Sequence, residues 1–270
     1  MDDIVMIIMS CDAFSDLWDG YVRLLEQNWP NRHIKAVIVT DKETVKKYER
    51  VDVFCPPYGA NWSERLHSAV LAYKSEHYLI TLDDYYLVEP VDNTRISELI
   101  NLVDAASIDY LRLFKHPVRA TKESLAHSKE FRVIDLGEVY SVNLYPAIWR
   151  KEFLLSCFRD AMNIWQFEVS LTDCARNYDA KCVVDLTNDF KILDVVRKGK
   201  LIRKAGKYIK KRGLYTGNRD TNSIWFELGL GVKVLARRYL PDGVRLWVRR
   251  VAIRCGMHSY SNNSADIIDD

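Results

Sequence analysis

The chain predicts an α/β fold built on a largely parallel sheet. Two observations carry that prediction. Short apolar runs rich in β-branched residues recur over the first ~110 residues, and stretches of helical period separate them. Three of the runs end in acids, at Asp12, Asp41 and Asp83-Asp84. In open α/β sheets, ligands bind beyond the carboxyl ends of the strands.

The elements follow in order. Ile4–Met9 is a continuous apolar run, as expected of a strand buried on both faces. Leu17, Tyr21, Leu24 and Leu25 fall on one helical face, and Trp29-Pro30-Asn31 stops that helix. Ile34–Val39 and Val51–Phe54 read as the second and third strands. Trp62–Tyr73 reads as a helix with Leu66, Ala69, Val70 and Tyr73 on one side and Ser63 as candidate cap. Tyr78–Leu82 is the fourth strand and runs straight into Asp83-Asp84-Tyr85-Tyr86. Ile96–Ala105 is a further helix, and Tyr110–Phe114 and Val139–Leu144 are later strand candidates. Tyr145–Trp149 reads as a loop into a helix starting near Arg150.

With 270 residues and 48% hydrophobic side chains, the chain buries a core sufficient for one large domain or a domain with an appendage. The charge is divided unevenly. Residues 1–196 carry twenty-two Lys and Arg against thirty-one Asp and Glu, a net −9. Residues 197–254 carry seventeen against three, a net +14, which points that part toward an anionic surface. Cysteines at 11, 55, 157, 174, 182 and 255 form no C-x-x-C pair and suit free thiols better than disulfides or zinc. Met1-Asp2-Asp3 is not a basic leader, and no run reaches the ~18–20 apolar residues of a membrane span. The expected location is cytoplasmic, on the inner face of the cytoplasmic membrane.

The acidic pair carries the first chemical expectation. A sugar nucleotide leaves as a diphosphate, so its phosphates gain charge in the transition state. A hard divalent cation held by carboxylates neutralises that charge. Ser10-Cys11-Asp12 after the first strand, an aromatic helix, and a strand ending in Asp83-Asp84-Tyr85 together resemble the GT-A glycosyltransferases of bacterial surface-polysaccharide (O-antigen and capsule) assembly. Asn61–Val70 (NWSERLHSAV) is similar to the same group, and the resemblance spans residues 4–200.

The resemblance implies a GT-A catalytic domain over residues 1–200, with a donor half to about residue 95 and an acceptor half beyond it. A basic helical extension occupies 201–270. The family motif Asp-x-Asp is here Asp83-Asp84-Tyr85. That makes Asp84 the expected direct ligand of Mn2+ or Mg2+, with Asp83 beside it on the ribose or a metal-bound water. Ser10, Asp12, Asp41 and Arg65 are expected around the donor, and His67 is a further phosphate candidate. Lys198 and Lys200, flanking Gly199, are expected to close over the diphosphate.

Trp165-Gln166-Phe167-Glu168 sets one acid among aromatics. Desolvation there raises the carboxyl's pKa and improves it as a base for an acceptor hydroxyl. Glu168 is the expected base in an inverting displacement, and an acceptor-binding residue if configuration is retained. Asp173 is the reserve base, and Trp149 and Trp165 are the expected acceptor platforms.

In the C-terminal part, Trp225, Leu228, Val232, Leu235 and Tyr239 share a stripe flanked by basic residues. Trp247 marks a second such stripe. Basic amphipathic helices of this kind suit an anionic membrane surface, here through residues 224–254, or else packing against the domain or a second copy in a homodimer. No nucleic-acid-binding motif accompanies the charge. The resemblance implies a lipid-linked saccharide acceptor, which fits the membrane reading.

Two other functions stay open. A sugar-nucleotidyltransferase shares the α/β nucleotide domain but opens with a Gly-rich loop, whereas residues 10–20 contain only Gly20. A membrane-attached scaffold without catalysis keeps the basic helices and does not need Asp84.

Overall fold

The computed structural model describes residues 4–115, 120–125 and 128–227. The two predicted amphipathic stripes lie outside them, save for Trp225 at the start of the first.

The N-terminal strands and helices are built as the periodicity predicts. β1 (Ile4–Met9) leads through a 3-10 turn (Asp12–Leu17) into α1 (Trp18–Asn28), β2 (Lys35–Val39) and β3 (Asp52–Phe54). α2 (Trp62–Ala72), β4 (His77–Leu82), β5 (Tyr85–Leu87) and α3 (Asn93–Ala105) follow. Then come β6 (Tyr110–Arg112), β7 (Ala120–Ser124), β8 (Phe131–Ile134), β9 (Ala147–Arg150), α4 (Lys151–Ser156), α5 (Ile164–Tyr178) and β10 (Cys182–Asp185). The described chain closes with β11 (Ile192–Asp194), β12 (Val196–Arg197), β13 (Lys200–Leu201) and α6 (Arg203–Arg212).

Nine strands form one sheet in the order β3-β2-β1-β4-β9-β6-β10-β8-β7. β3, β2, β1 and β4 are mutually parallel. β9 inserts antiparallel between β4 and β6, and β10 runs parallel to β6. Two reversals about β9 restore direction, so β1, β2, β4, β6 and β10 all open on the same edge. The predicted α/β sheet with helices on both sides is what the chain forms.

Alternation along the strands divides the core. Met6, Ile8, Ile38, Leu79, Leu111 and Val183 face α1, α3 and α6. Ile7, Val37, Ile80, Tyr110, Trp149 and Val184 face α2, α4 and α5. α6 contributes Ala205 and Ile209 to the first layer, so the described residues beyond 200 share the core of residues 1–200.

Three local expectations are corrected. Val139–Leu144 is no strand. Ser141 donates to the Asp135 and Glu138 carbonyls, Asn143 donates to the Tyr140 carbonyl, and its own Oδ1 accepts from Tyr145 N–H. Such side-chain bonds compete with a ladder and coil the segment. Val142 and Leu144 are nevertheless buried, which accounts for the strand-like pattern. The strand comes after, at β9, where a loop was expected. The α2 cap is Asn61 rather than Ser63: Asn61 accepts from Glu64 N–H while the Glu64 side chain accepts from Asn61 N–H. Ser63 instead donates to the Asp160 carbonyl and accepts from Met162 N–H, tying α2 to the start of α5.

Candidate functional site

The site starts where β1 and β4 end side by side. Ser10 N–H donates to Val39 O, and Asp83 N–H donates to Met9 O, so both residues leave the sheet in fixed directions. The Ser10 hydroxyl donates to Asp83 Oδ2 and accepts from the Trp18 indole at 2.7 Å. Arg65, on α2 and buried, donates to the Ser10 carbonyl at 2.5 Å. Its Nε is buried without a hydrogen-bond partner. Beside this knot Asp12 N–H donates to Asp41 Oδ1 at 2.6 Å, and Lys42 pairs with Asp12. Ser10, Asp12, Asp41, Arg65 and Asp83 therefore share one edge of the sheet. Burial pushes the Asp83 carboxyl above the ordinary carboxylate range, against the opposing pull of the Ser10 and Trp18 donors and the Arg219 charge.

Asp84 turns the chain into β5. Its carbonyl accepts from Val195 N–H at 2.8 Å, which draws β11 and β12 against it. β11 pairs with β5 and places Asp194 opposite Tyr85. Asp84 Oδ1 and Asp194 Oδ1 are both buried without hydrogen-bond partners, while Asp194 Oδ2 accepts from Arg197. Burial raises both carboxyls, and the Asp83 and Asp194 charges raise Asp84 further. Asp194 and Arg197 were not singled out in the sequence. A register that pairs residue 85 with residue 194 leaves no local signal.

An aromatic stack continues from Asp84. Tyr85 lies on Tyr145 at 5.4 Å with planes 20° apart, and Phe114 packs on Tyr145 at 5.0 Å. Glu168, on α5, accepts from Leu144 N–H at 3.3 Å in the loop leading to Tyr145. Burial lifts its carboxyl above the usual range, and its charge is felt at both Tyr85 and Tyr145. Glu168 is thus desolvated, near the Tyr85 and Tyr145 side chains. The aromatics beside it are Tyr85 and Tyr145, with Phe167 buried on the core side of the helix.

A basic strap crosses the same edge. β12 and β13 form a hairpin whose turn residues, Lys198 and Gly199, both have positive φ, at 54° and 74°. Lys198 lies over the Phe226 ring, and Lys200 reaches Asp220 at 3.6 Å. Residues 214–222 return along this hairpin, with Leu201 N–H donating to Asp220 O and Asn222 N–H to Leu201 O. Arg219 grips Asp16 with two bonds of 2.6 and 2.7 Å and donates to the Gly199 and Ala13 carbonyls. Its guanidinium also covers the Phe14 ring at 4.4 Å. Gly217 has φ +62°, and a Cβ there would lie 2.6 Å from Asp16.

Other expected residues lie elsewhere. Trp149 is wholly buried between Tyr110 and Phe153 and cannot stack on a ligand in this conformation, which corrects its expected role as acceptor platform. The alternation of β9, unrecognised as a strand, turns its ring inward. Trp165 is 59% exposed in the first turn of α5, one turn before Glu168. Asp173 is exposed and paired with Arg176. His67 stacks on Phe158.

No family model and no curated protein matches this chain. Several solved structures align with part of this chain. S. aureus TarS 1–349 in complex with UDP-GlcNAc aligns at TM-score 0.47 and 14% identity, over 74% of this chain and 60% of that one. The bifunctional IspDF from Campylobacter jejuni aligns at 0.43 and 13%, over 72% of this chain and 52% of that one. A cytidylyltransferase from Leptospira borgpetersenii serovar Hardjo-bovis aligns at 0.43 and 11%, over 83% of this chain and all of that one. The chain thus spans little more than half the length of TarS 1–349 and IspDF.

Among the described residues, no three or more His, Cys, Asp or Glu gather as a ready metal cage. The donor set still suits a hard cation shared with a ligand. Two buried carboxylate oxygens, on Asp84 and Asp194, lack partners, and divalent cations of this kind take oxygen ligands while keeping waters or phosphate oxygens.

Proposed function

We propose that the chain is a GT-A-type glycosyltransferase that moves a sugar from a nucleotide-sugar donor to a hydroxyl of a saccharide acceptor. The observation that carries this reading is the pair of buried carboxylate oxygens on Asp84 and Asp194 that lack partners among the described residues, with the Tyr85–Tyr145 stack continuing from Asp84 and the basic strap held to Asp16 by Arg219. Asp12, Asp41 and Arg65 take the nucleoside and phosphate side. The Ser10–Asp83 bond holds the β1 and β4 ends rigid. Asp84 and Asp194 would hold Mn2+ or Mg2+, which would supply charge neutralisation to the departing diphosphate. Arg197, Lys198, Lys200 and Arg219 add positive charge on that side. Glu168 takes the proton of the acceptor hydroxyl as oxygen attacks the anomeric carbon, and Trp165 extends the acceptor platform. In a retaining reaction Glu168 binds the acceptor instead.

A sugar-nucleotidyltransferase is disfavoured by the turn after β1. Its residues Asp12–Leu17 contain no glycine to admit a triphosphate against the backbone. The acceptor is proposed to be a lipid-linked saccharide of bacterial surface-polysaccharide assembly, met at the inner membrane face through residues 224–254. Homodimerisation through the same stripes is the competing use.

The test is thermal stability with UDP- and GDP-sugars, with and without Mn2+ or Mg2+, followed by donor hydrolysis. Metal-linked stabilisation and slow release of free sugar are expected. Absence of metal-linked stabilisation by every nucleotide, or pyrophosphate release from a nucleoside triphosphate and sugar phosphate, would overturn the assignment.

A further inference from the structure

A second set of charged groups stands at the same sheet edge but on the opposite layer from Glu168. β10 ends in Asp185, and alternation after Val184 turns Asp185 toward the layer that holds α3. There a cavity of about 350 Å³ opens between α3 and the segment following β10. Its apolar walls include Ile96, Leu99, Leu113 and Phe190. Four carboxylates line it, those of Asp92, Glu98, Asp185 and Asp189, against the single guanidinium of Arg95.

Most of these charges are already satisfied. Arg95 donates to Asp189 at 2.7 Å and to Glu130 at 3.0 Å. Asp92 caps α3 by accepting from Thr94 N–H. Asp185 differs. It is only 1% exposed, and its Oδ1 accepts from the Thr187 N–H and hydroxyl at 2.8 and 2.6 Å. Its Oδ2 is buried with no hydrogen-bond partner among the described residues. A buried acceptor left in this state is destabilising, more so if charged, and native structures seldom tolerate it without a reason. Burial also holds the Asp185 carboxyl above the ordinary range, against the pull of the Thr187 donors and the Arg95 charge. Nothing in the proposed transfer uses this group.

We propose that this cavity binds a small organic ligand bearing a primary ammonium group, with Asp185 as its anchor. An ammonium supplies the N–H donor that Oδ2 lacks, and its charge offsets the excess of carboxylates. The apolar walls take the carbon skeleton. A neutral or anionic ligand answers the orphaned oxygen less well and the charge not at all. The amine can come from a free metabolite or from an amino sugar, and the chemistry at Asp185 is the same.

Calorimetric titration of the full chain with glucosamine, glucose and cadaverine separates these cases. It is run without nucleotide or divalent cation, so its outcome does not depend on the donor-site reading. Binding of glucosamine or cadaverine is expected, with glucose at least tenfold weaker. Cadaverine alone would identify a free amine, and glucosamine an amino sugar. Asp185→Asn should weaken binding at least tenfold, because the Thr187 contacts survive while the charge is lost. Val91→Phe narrows the cavity without touching a carboxylate and should block binding; it decides the matter if the Asn variant does not fold. Equal binding of glucose and glucosamine, no binding of either amine, or full affinity in both variants overturns the proposal.

Discussion

Glu168 has the properties of a base because a helix holds it away from water while a single backbone N–H, from Leu144, favours its charge. Its native pKa is raised, so the sign of its linkage is defined. Relative to an unfolded glutamate near 4.3, its stabilising contribution is complete at low pH and is lost as pH rises through the native value. Glu168→Gln should therefore narrow any stability deficit, or gain stability over the parent, as pH goes from 4 to 8. Thermal melts at the two pH values check this. The same substitution should lower kcat by roughly 10²–10⁴-fold, the usual weight of a general base, with donor affinity retained. In the parent, the acidic limb of the kcat profile should lie above the ordinary carboxylate range. Undiminished turnover in the Gln variant would remove Glu168 from the mechanism. Asp84 and Asp194 make a paired prediction. Asp84→Asn and Asp194→Asn should each abolish the Mn2+-dependent part of nucleotide stabilisation, read as a melting shift. Retention of that shift by the Asp194 variant would restrict the cation to Asp84 and its neighbours.

Elements bring these residues together, and they differ in how far the sequence reveals them. β1, β2 and β4 announce themselves through unbroken apolar runs, and the acids at their ends follow. For that reason Ser10, Asp12, Asp41 and Asp83 were legible. β9 was not. Its four residues follow a segment whose Val142 and Leu144 are buried while its Ser141 and Asn143 bond to nearby backbone, so apolar spacing suggested a strand one turn too early. Trp149 was misjudged as a consequence. Asp194 and Arg219 were invisible for another reason, since β5–β11 pairing and the 219–16 ion pair join residues more than a hundred positions apart. The strap offers a test at this scale. Gly217→Ala puts a Cβ against Asp16 at a left-handed position, so it should destabilise by about 1–2 kcal/mol and loosen the Arg219 grip. Weaker donor binding should accompany the lower melting temperature. A variant that melts lower but binds donor unchanged would make the strap purely structural. At the α2 end, Asn61→Ala removes a capping box and should cost about 1 kcal/mol.

Across the whole molecule the charge is arranged as two territories. The net −9 of residues 1–196 surrounds a carboxylate-rich site, while the net +14 of residues 197–254 begins at the hairpin that crosses it. Within the described residues, no helix is long and apolar enough to cross a membrane. At the start of the predicted stripe, Ile224 and Trp225 are 53% and 82% exposed, an apolar pair standing outward. If residues 224–254 meet a membrane, attraction should follow both charge and apolar insertion. Each basic residue near an anionic leaflet contributes about 1 kcal/mol, and this falls away as salt shortens the screening length. The full chain should co-sediment with vesicles containing anionic phosphatidylglycerol and not with pure phosphatidylcholine. Binding should drop sharply between low and high salt, and Trp225→Ala should weaken what remains. A chain that ignores anionic vesicles but sediments as a dimer at all salt concentrations would assign the same stripes to self-association. The acceptor would then have to reach the Asp84–Glu168 site from solution.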